Sequence, residues 1–359
     1  MCSPFVSALV KKSVLRALRR MMESTAVQDL FEETIRQPKR GHAHLSSIDL
    51  HALIPPYAGL VKNSLNSRIS HRDDAIFITA RFRSGSTLLW NLFRHVDGMT
   101  AYYEPFNERR WFDPASRGDR IDTTHKHVED YWHEYEGLEV LGQSYRLEWI
   151  SKDLLMDGEM WDLKMKQYVE LLIEKASARP VLQFNRIDFR LPWFRHHFPH
   201  AMIIHLYRHP REQWCSTLMD VTTYPKDASM ADFPPHDKFY LRVWAHDLKY
   251  HFPFLDESRI THAYQLFYLV WKLSYLFGVK YSDHSLSYES LLDEPDKQLA
   301  HLFSRLNIEN YDLSALRALI AEPSRDKWRI YADDDWFRTQ ETWCENVMAE
   351  YFGNRVSCC

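Results

Sequence analysis

The sequence has few cysteines and no long apolar run. Its five cysteines, among 359 residues, form no C-x-x-C pair, and two of them are its last two residues. This pattern argues against a disulfide framework and a zinc site and favours a reducing compartment. No uninterrupted apolar stretch approaches the roughly 18 residues that a membrane-spanning helix needs. We therefore expect a cytoplasmic protein.

The sequence also lacks the marks of two large classes of phosphate-binding protein. Its formal net charge is −4, whereas nucleic-acid-binding proteins normally carry a basic excess, so no nucleic-acid partner is expected. Neither Gly-Lys-Ser nor Gly-Lys-Thr occurs, although the P-loop of nucleoside triphosphatases requires one of them. The 19 histidines have no carboxylate partner at convincing metal-binding spacing. We expect no bound metal.

The beginning of the sequence has the pattern of a basic amphipathic helix. Leu9, Val14 and Leu18 fall on one helical face, while lysines and arginines between residues 11 and 20 lie largely off it. A helix of this kind either docks on its own domain or makes a peripheral contact with an anionic membrane. The sequence leaves both interpretations open.

From residue 74 onward, short apolar strands alternate with helices. The runs AIFITA, VLQF and MIIHLY are typical of buried parallel strands, and helical spacing follows each of them. This alternation predicts an α/β fold with a central parallel sheet covered by helices on both faces. Residues 222–237, rich in proline and aspartate, are predicted to form a surface loop.

Two segments have the composition of anion-binding sites. Residues 83–87 join a predicted strand to a helix, where unpaired amides and the helix dipole favour an anion, and Arg83 adds a forked donor set. In the second segment, Arg208 ends a strand and Ser216 follows about two helical turns later. Two such sites at the carboxyl ends of parallel strands suit a nucleotide with phosphates at its 5′ and 3′ positions.

Three motifs together resemble those of the sulfotransferase family. RFRSGSTLLWNLF resembles the family's 5′-phosphosulfate loop, LYRHPREQWCS its 3′-phosphate motif, and SYESLLDEP its Tyr-Glu-x-Leu segment. The resemblance covers residues 74–330 and is nearest to the carbohydrate and tyrosyl-protein branches. It implies a P-loop-like α/β/α fold, with 3′-phosphoadenosine 5′-phosphosulfate (PAPS) as sulfuryl donor. The implied acceptor is a hydroxyl-bearing saccharide, glycolipid or small metabolite.

The same resemblance implies a domain organisation and a donor site. Residues 1–70 would be a helical N-terminal extension, 71–335 the sulfotransferase domain, and 336–359 a C-terminal helix and tail. The donor-binding residues it implies are Arg83, Ser84, Gly85, Ser86, Thr87, Arg208, Ser216, Ser324 and Arg329. Ser324 and Arg329, with the neighbouring Trp328, match a late loop of the family only loosely.

Three residues carry the implied catalytic roles. Arg83 would stabilise charge on the bridging oxygen as its bond to sulfur breaks. Glu104, in AYYEPF, would accept the proton of the acceptor hydroxyl; the alternative is that it only pairs with a nearby arginine. Arg186, in NRIDF, would take the place of a family lysine that stabilises the transferring sulfuryl group.

Two other functions stay open at this stage. One is a P-loop-type kinase of a small molecule, which would require magnesium and lacks its usual lysine. The other is a catalytically inactive nucleotide-binding or glycan-binding protein. The sequence does not identify the acceptor or the oligomeric state.

Overall fold

In the part of the chain that the structure describes, the central sheet has five parallel strands: β1 Ile76–Ala80, β2 Met99–Tyr103, β3 Arg179–Phe184, β4 Met202–Tyr207 and β5 His284–Ser287. Their order is β2-β3-β1-β4-β5, and each neighbouring pair is parallel. Every residue of the central strand β1 is buried, as its apolar sequence requires. The predicted α/β fold with a central parallel sheet is confirmed.

The computed structural model describes residues 74–218, 220, 222–321 and 326–356. Its α-helices are α1 Ser86–Arg94, α2 Pro114–Arg117, α3 Leu163–Lys175, α4 Leu191–His197, α5 Pro210–Thr217, α6 Leu241–Leu248, α7 Ala263–Tyr281, α8 Tyr288–Asp293, α9 Pro295–Arg305, α10 Leu313–Ala318, α11 Lys327–Tyr331 and α12 Asp334–Val356. Short 3-10 helices lie at His133–Tyr135, Glu139–Gln143, Leu147–Ile150, Asp188–Arg190, Met230–Asp232, Pro253–Leu255 and Glu257–Arg259.

Some predictions fall on other parts of the chain. The basic N-terminal helix, Ser324 and the two terminal cysteines lie outside the described residues. The membrane contact and the division at residues 70 and 335 therefore stay predictions. Within the described ranges, no helix combines the length and apolarity that a membrane span requires.

Two apolar clusters build the core. The first joins the sheet to α1, α3, α4 and α9; in it Phe77 of β1 makes edge-to-face contacts with Phe184, Phe194 and Phe198. The second joins α5, α6 and α7 to α11 and α12, and it includes Phe82 from the loop after β1. Since aromatic pairs of this kind favour defined geometry, they hold the loop at the sheet edge in place.

The predicted surface loop at residues 222–237 is more firmly attached than its composition suggests. Tyr224, Met230 and Phe233 are buried in the second cluster. The Tyr224 hydroxyl donates to the Ser229 carbonyl and accepts from the backbone N–H of Ala263. Burial of these large apolar side chains fixes the segment in place. Its prolines and aspartates do not indicate this attachment.

The sheet register places the chemically interesting loops at one edge. Ala80 of β1 pairs with Leu206 of β4, and Thr79 pairs with Phe184 of β3. Because the strands are parallel, the loops that follow all five strands leave from the same edge. In open α/β sheets this carboxyl edge is where ligands bind.

Candidate active site

A cleft of about 220 Å³ opens at the carboxyl edge of the sheet. Seven of the residues predicted from the sequence line it: Arg83, Gly85, Ser86, Thr87, Glu104, Arg208 and Ser216. They come from the loop after β1, the first turn of α1, the ends of β2 and β4, and helix α5. The fold thus brings both predicted anion sites and the predicted base to one cavity.

The first anion site is the turn between β1 and α1. Ser84 is fully buried outside the cleft and closes the turn by donating its hydroxyl hydrogen to the Arg81 carbonyl at 2.6 Å. Gly85 follows with a left-handed φ of 93°, which glycine adopts without steric cost. Helix α1 begins with no side-chain cap and no acidic residue in its first turn. Its first amides and the positive dipole end therefore suit an anion.

The second anion site is joined directly to the first. The Nε of Arg83 donates to the Ser216 hydroxyl at 3.0 Å, and Arg208 donates to the Arg83 carbonyl at 3.1 Å. Arg208 is held over the Tyr288 ring, with its guanidinium carbon 5.0 Å from the ring centre. Its Nε is buried without a hydrogen-bond partner among the described residues. Another nitrogen of the same guanidinium lies 3.6 Å from the Glu212 carboxylate. A buried donor without a partner is suited to bind an anion.

Glu104 lies at the end of β2 and is buried. Among the described residues, its Oε2 accepts hydrogen bonds from Arg186 at 2.8 Å and Asn107 at 2.7 Å, and its Oε1 accepts one from Asn185 at 2.5 Å. Its φ of 38° is unusual for a side-chain-bearing residue. Three donors hold the carboxylate in one orientation, and Oε1 keeps a lone pair for a further partner.

Arg186 faces Glu104 rather than the cleft that contains the two predicted anion sites. Its side chain is 2% exposed and also donates to Glu108 at 2.7 Å. Burial alone would lower the pKa of Arg186, but the carboxylates of Glu104 and Glu108 outweigh it and raise that pKa. Arg186 does not line the cleft that holds the anion sites; it lines an adjoining cavity.

The adjoining cavity, which we call the polar cavity, shares Glu104 with the first cleft. Its lining also contains Trp111 and the exposed Arg109 and Arg120. Neither of these arginines has a carboxylate within 4.0 Å in the described part of the chain, and Arg109 donates to the Arg120 carbonyl. Glu104 thus lines both the cleft that contains the two predicted anion sites and the polar cavity.

Tyr103 and His125, which the sequence did not single out, line both of these cavities. The Thr87 hydroxyl is 2.9 Å from the Tyr103 hydroxyl and 3.3 Å from Nε2 of His125, and both partners line both cavities. Burial raises the pKa of Tyr103 well above its usual value, so it stays protonated. Burial lowers the pKa of His125, against the opposing effect of Asp122. The position of Tyr103 directly before Glu104 is a signal in the sequence that could have identified it as a site residue, whereas no local pattern identifies His125.

Leu319 and Ala321, just before the late loop, line the described cleft. Arg329 is well exposed, pairs with Asp326 and stacks on Trp328, and none of these three residues lines the cleft. Trp328 packs in the second core cluster beneath Arg211. The predicted roles of Arg329 and Ser324 in donor binding stay predictions. No group of three or more potential metal ligands occurs among the described residues.

A family model described as the sulfotransferase family matches residues 75–312. The chain belongs to the sulfotransferase family. The prediction of a sulfotransferase enzyme is thereby confirmed. Among curated proteins, no match was found.

Several solved structures are also similar to this sulfotransferase. Sulfotransferase STF9 from Mycobacterium avium is 12% identical, with 85% of this chain and 81% of that chain covered and a TM-score of 0.42. Mouse sulfotransferase SULT7A1, complexed with PAP, is 12% identical, with 78% and 84% covered and a TM-score of 0.36. The sulfotransferase domain from the curacin biosynthetic pathway is 16% identical, with 69% and 78% covered and a TM-score of 0.37.

Proposed function

We propose that this sulfotransferase transfers a sulfuryl group from PAPS to a hydroxyl-bearing acceptor by in-line displacement. The observation that carries the proposal is the direct link between the two anion sites inside one cleft. Arg83 donates a hydrogen bond to the Ser216 hydroxyl, and Arg208 donates one to the Arg83 carbonyl. A single nucleotide with phosphates at both ends matches this arrangement.

The residues of the cleft fit the donor's chemistry. The uncapped amides of α1 and the hydroxyls of Ser86 and Thr87 would hold the 5′-phosphosulfate end, and Arg208 with Ser216 would hold the 3′-phosphate. PAPS supplies the activated sulfuryl group. Arg83 would stabilise the charge left on the bridging oxygen when the sulfur–oxygen bond breaks.

Glu104 is the proposed base. As the acceptor oxygen bonds to sulfur, Oε1 of Glu104 would take the hydroxyl proton. Arg186 would then act as a positioning residue, because its guanidinium orients the carboxylate from the side of the polar cavity. This differs from the role of direct sulfuryl stabilisation that the family resemblance implies for Arg186.

Calorimetric titration with 3′-phosphoadenosine 5′-phosphate (PAP), followed by an acceptor screen with labelled PAPS, tests the proposal. Arg208→Ala should weaken PAP binding at least tenfold, whereas Arg317→Ala, which removes an exposed arginine outside the cleft, should not change it. Glu104→Gln should keep the PAP affinity of the wild type and lose turnover. Unchanged PAP binding by Arg208→Ala, or unchanged turnover by Glu104→Gln, would contradict the proposal.

A further inference from the structure

A third cavity, of about 230 Å³, lies beside the other two. We call it the apolar pocket, because its wall is built mainly from the rings of Phe82, Trp214, Tyr224, Phe233, Phe239 and Phe267. These side chains come from the loop after β1, from α5 and α7, and from the anchored segment that precedes α6. Neither the anion sites nor Glu104 belongs to its lining.

The two basic side chains of the pocket wall, Arg81 and Lys238, are already paired with carboxylates, whereas Oδ1 of Asp237 is buried without a hydrogen-bond partner among the described residues. Arg81 pairs with the buried Asp188 at 3.4 Å, and Lys238 lies 3.7 Å from Asp122. Burial raises the pKa of Asp237, as expected for a carboxyl group in surroundings of low polarity. The pocket is therefore a poor site for a phosphate and a good one for an apolar group.

The apolar pocket adjoins the nucleotide cleft and the polar cavity. Phe82, Lys238 and Phe239 line all three cavities: the nucleotide cleft, the polar cavity and the apolar pocket. A molecule whose hydroxyl lies near Glu104 in the polar cavity has the apolar pocket on the other side of these three side chains. One end of such a molecule would meet charged groups and the other end would meet aromatic rings.

We propose that the apolar pocket binds the hydrophobic portion of the acceptor, and that the acceptor class is an amphiphilic alcohol with a polar, hydroxyl-bearing end and an alkyl or similar apolar end. This inference rests on the proposed function, because only that function makes the bound molecule a sulfuryl acceptor. The pocket itself is defined by its own residues. It adds a binding site for which the sequence motifs give no indication.

Simple 1-alkanols, used as binding probes, test the pocket separately from the reaction. Because burial of each methylene contributes about 0.8 kcal/mol, affinity should rise about fourfold per methylene, or about 60-fold from 1-propanol to 1-hexanol. Ligand-observed NMR on the full-length chain measures these dissociation constants. An affinity that does not depend on chain length would overturn the inference.

Matched variants locate the binding. Thr222 and Thr223 are neighbouring exposed residues, but Thr223 lines the pocket and Thr222 does not. Thr223→Trp should weaken 1-hexanol binding at least tenfold and leave PAP affinity unchanged, whereas Thr222→Trp should affect neither. Leu218→Trp, in the pocket wall, should act like Thr223→Trp, with the half-buried Leu155→Trp outside the pocket as its control.

The outcomes separate the two proposals. If both pocket variants bind 1-hexanol as tightly as their controls, the pocket assignment is wrong, whatever the enzyme does with PAPS. If the wild type fails to bind PAP, the proposed function is wrong, and the 1-hexanol series still decides whether the pocket takes an apolar ligand. A rise in sulfation rate with alkanol length, lost in Thr223→Trp, supports both.

Discussion

Gly85 is the position where a single methyl group should disturb the anion site most. Its φ is 93°, and a Cβ built on it would overlap the Tyr288 ring. Gly98 has a similar φ of 79°, and a Cβ there meets nothing within 4 Å. The two glycines therefore share the backbone requirement and differ in the space around them, so Gly98→Ala is the natural control for Gly85→Ala.

The expected magnitudes follow from these two effects. Placing alanine in the left-handed region costs about 1–2 kcal/mol, which both variants should lose. Gly85→Ala should lose a further 1–3 kcal/mol or so, because the Tyr288 ring must move. Urea denaturation of wild type and variants measures these changes in the free energy of unfolding. The predicted difference between the two variants is thus about 1–3 kcal/mol.

The same substitution should weaken nucleotide binding. Tyr288 supports the Arg208 guanidinium through a cation–π contact, so displacing the ring displaces a donor of the second anion site. We expect PAP affinity to fall at least tenfold in Gly85→Ala and to stay unchanged in Gly98→Ala. Calorimetric titration measures both affinities.

A second background tests the cause. In Tyr288→Ala the ring is gone, and adding Gly85→Ala should then cost only the backbone amount, about 1–2 kcal/mol. If Gly85→Ala costs as much in this background as in the wild type, or no more than Gly98→Ala in the wild type, the steric argument is refuted.

Three further predictions concern buried ionisable side chains. Arg186→Met should destabilise the protein by about 3–5 kcal/mol in urea denaturation, because it leaves the buried Glu104 carboxylate without its ion pair. Asp188→Ala should cost a similar amount by the same measurement, since it removes the carboxylate partner of Arg81, whose side chain is 8% exposed. Lowering the pH from 6.5 to 4 should remove about 3 kcal/mol of stability through His205, whose pKa is lowered to about 4 by burial; unfolding measured at a series of pH values checks it.

Burial lowers the pKa of His205 in the folded chain, so the unfolded chain takes up the His205 proton at a higher pH. The free energy of unfolding therefore decreases as the pH is lowered from 6.5, and the His205 contribution levels off below pH 4. His205→Gln should remove that part of the slope, and an unchanged slope would contradict the assignment. Arg317→Met, which breaks an exposed ion pair with Asp296, should change stability by less than about 1 kcal/mol. A comparably small loss in Arg186→Met would refute the buried-pair argument.

Local sequence patterns predicted the strands and the family, and they also predict two anion sites. The runs AIFITA and MIIHLY predicted β1 and β4 because unbroken β-branched and apolar residues suit a strand buried on both faces. The strand–turn–helix pattern of residues 83–87 predicted an anion site, because the unpaired amides at the start of a helix are a local property of the backbone.

Only the tertiary structure decided how these parts meet. Arg186 pairs with Glu104, 82 positions away in sequence, and Arg83 donates a hydrogen bond to Ser216, 133 positions away. His125, which contacts Thr87, belongs to a loop without a recognisable motif. The three cavities share Phe82, Lys238 and Phe239, and the segment before α6 that carries two of them is anchored by buried side chains. Its composition predicted only a surface loop. Such contacts depend on strand order and side-chain packing, which are set by the whole chain and leave no trace in a local pattern.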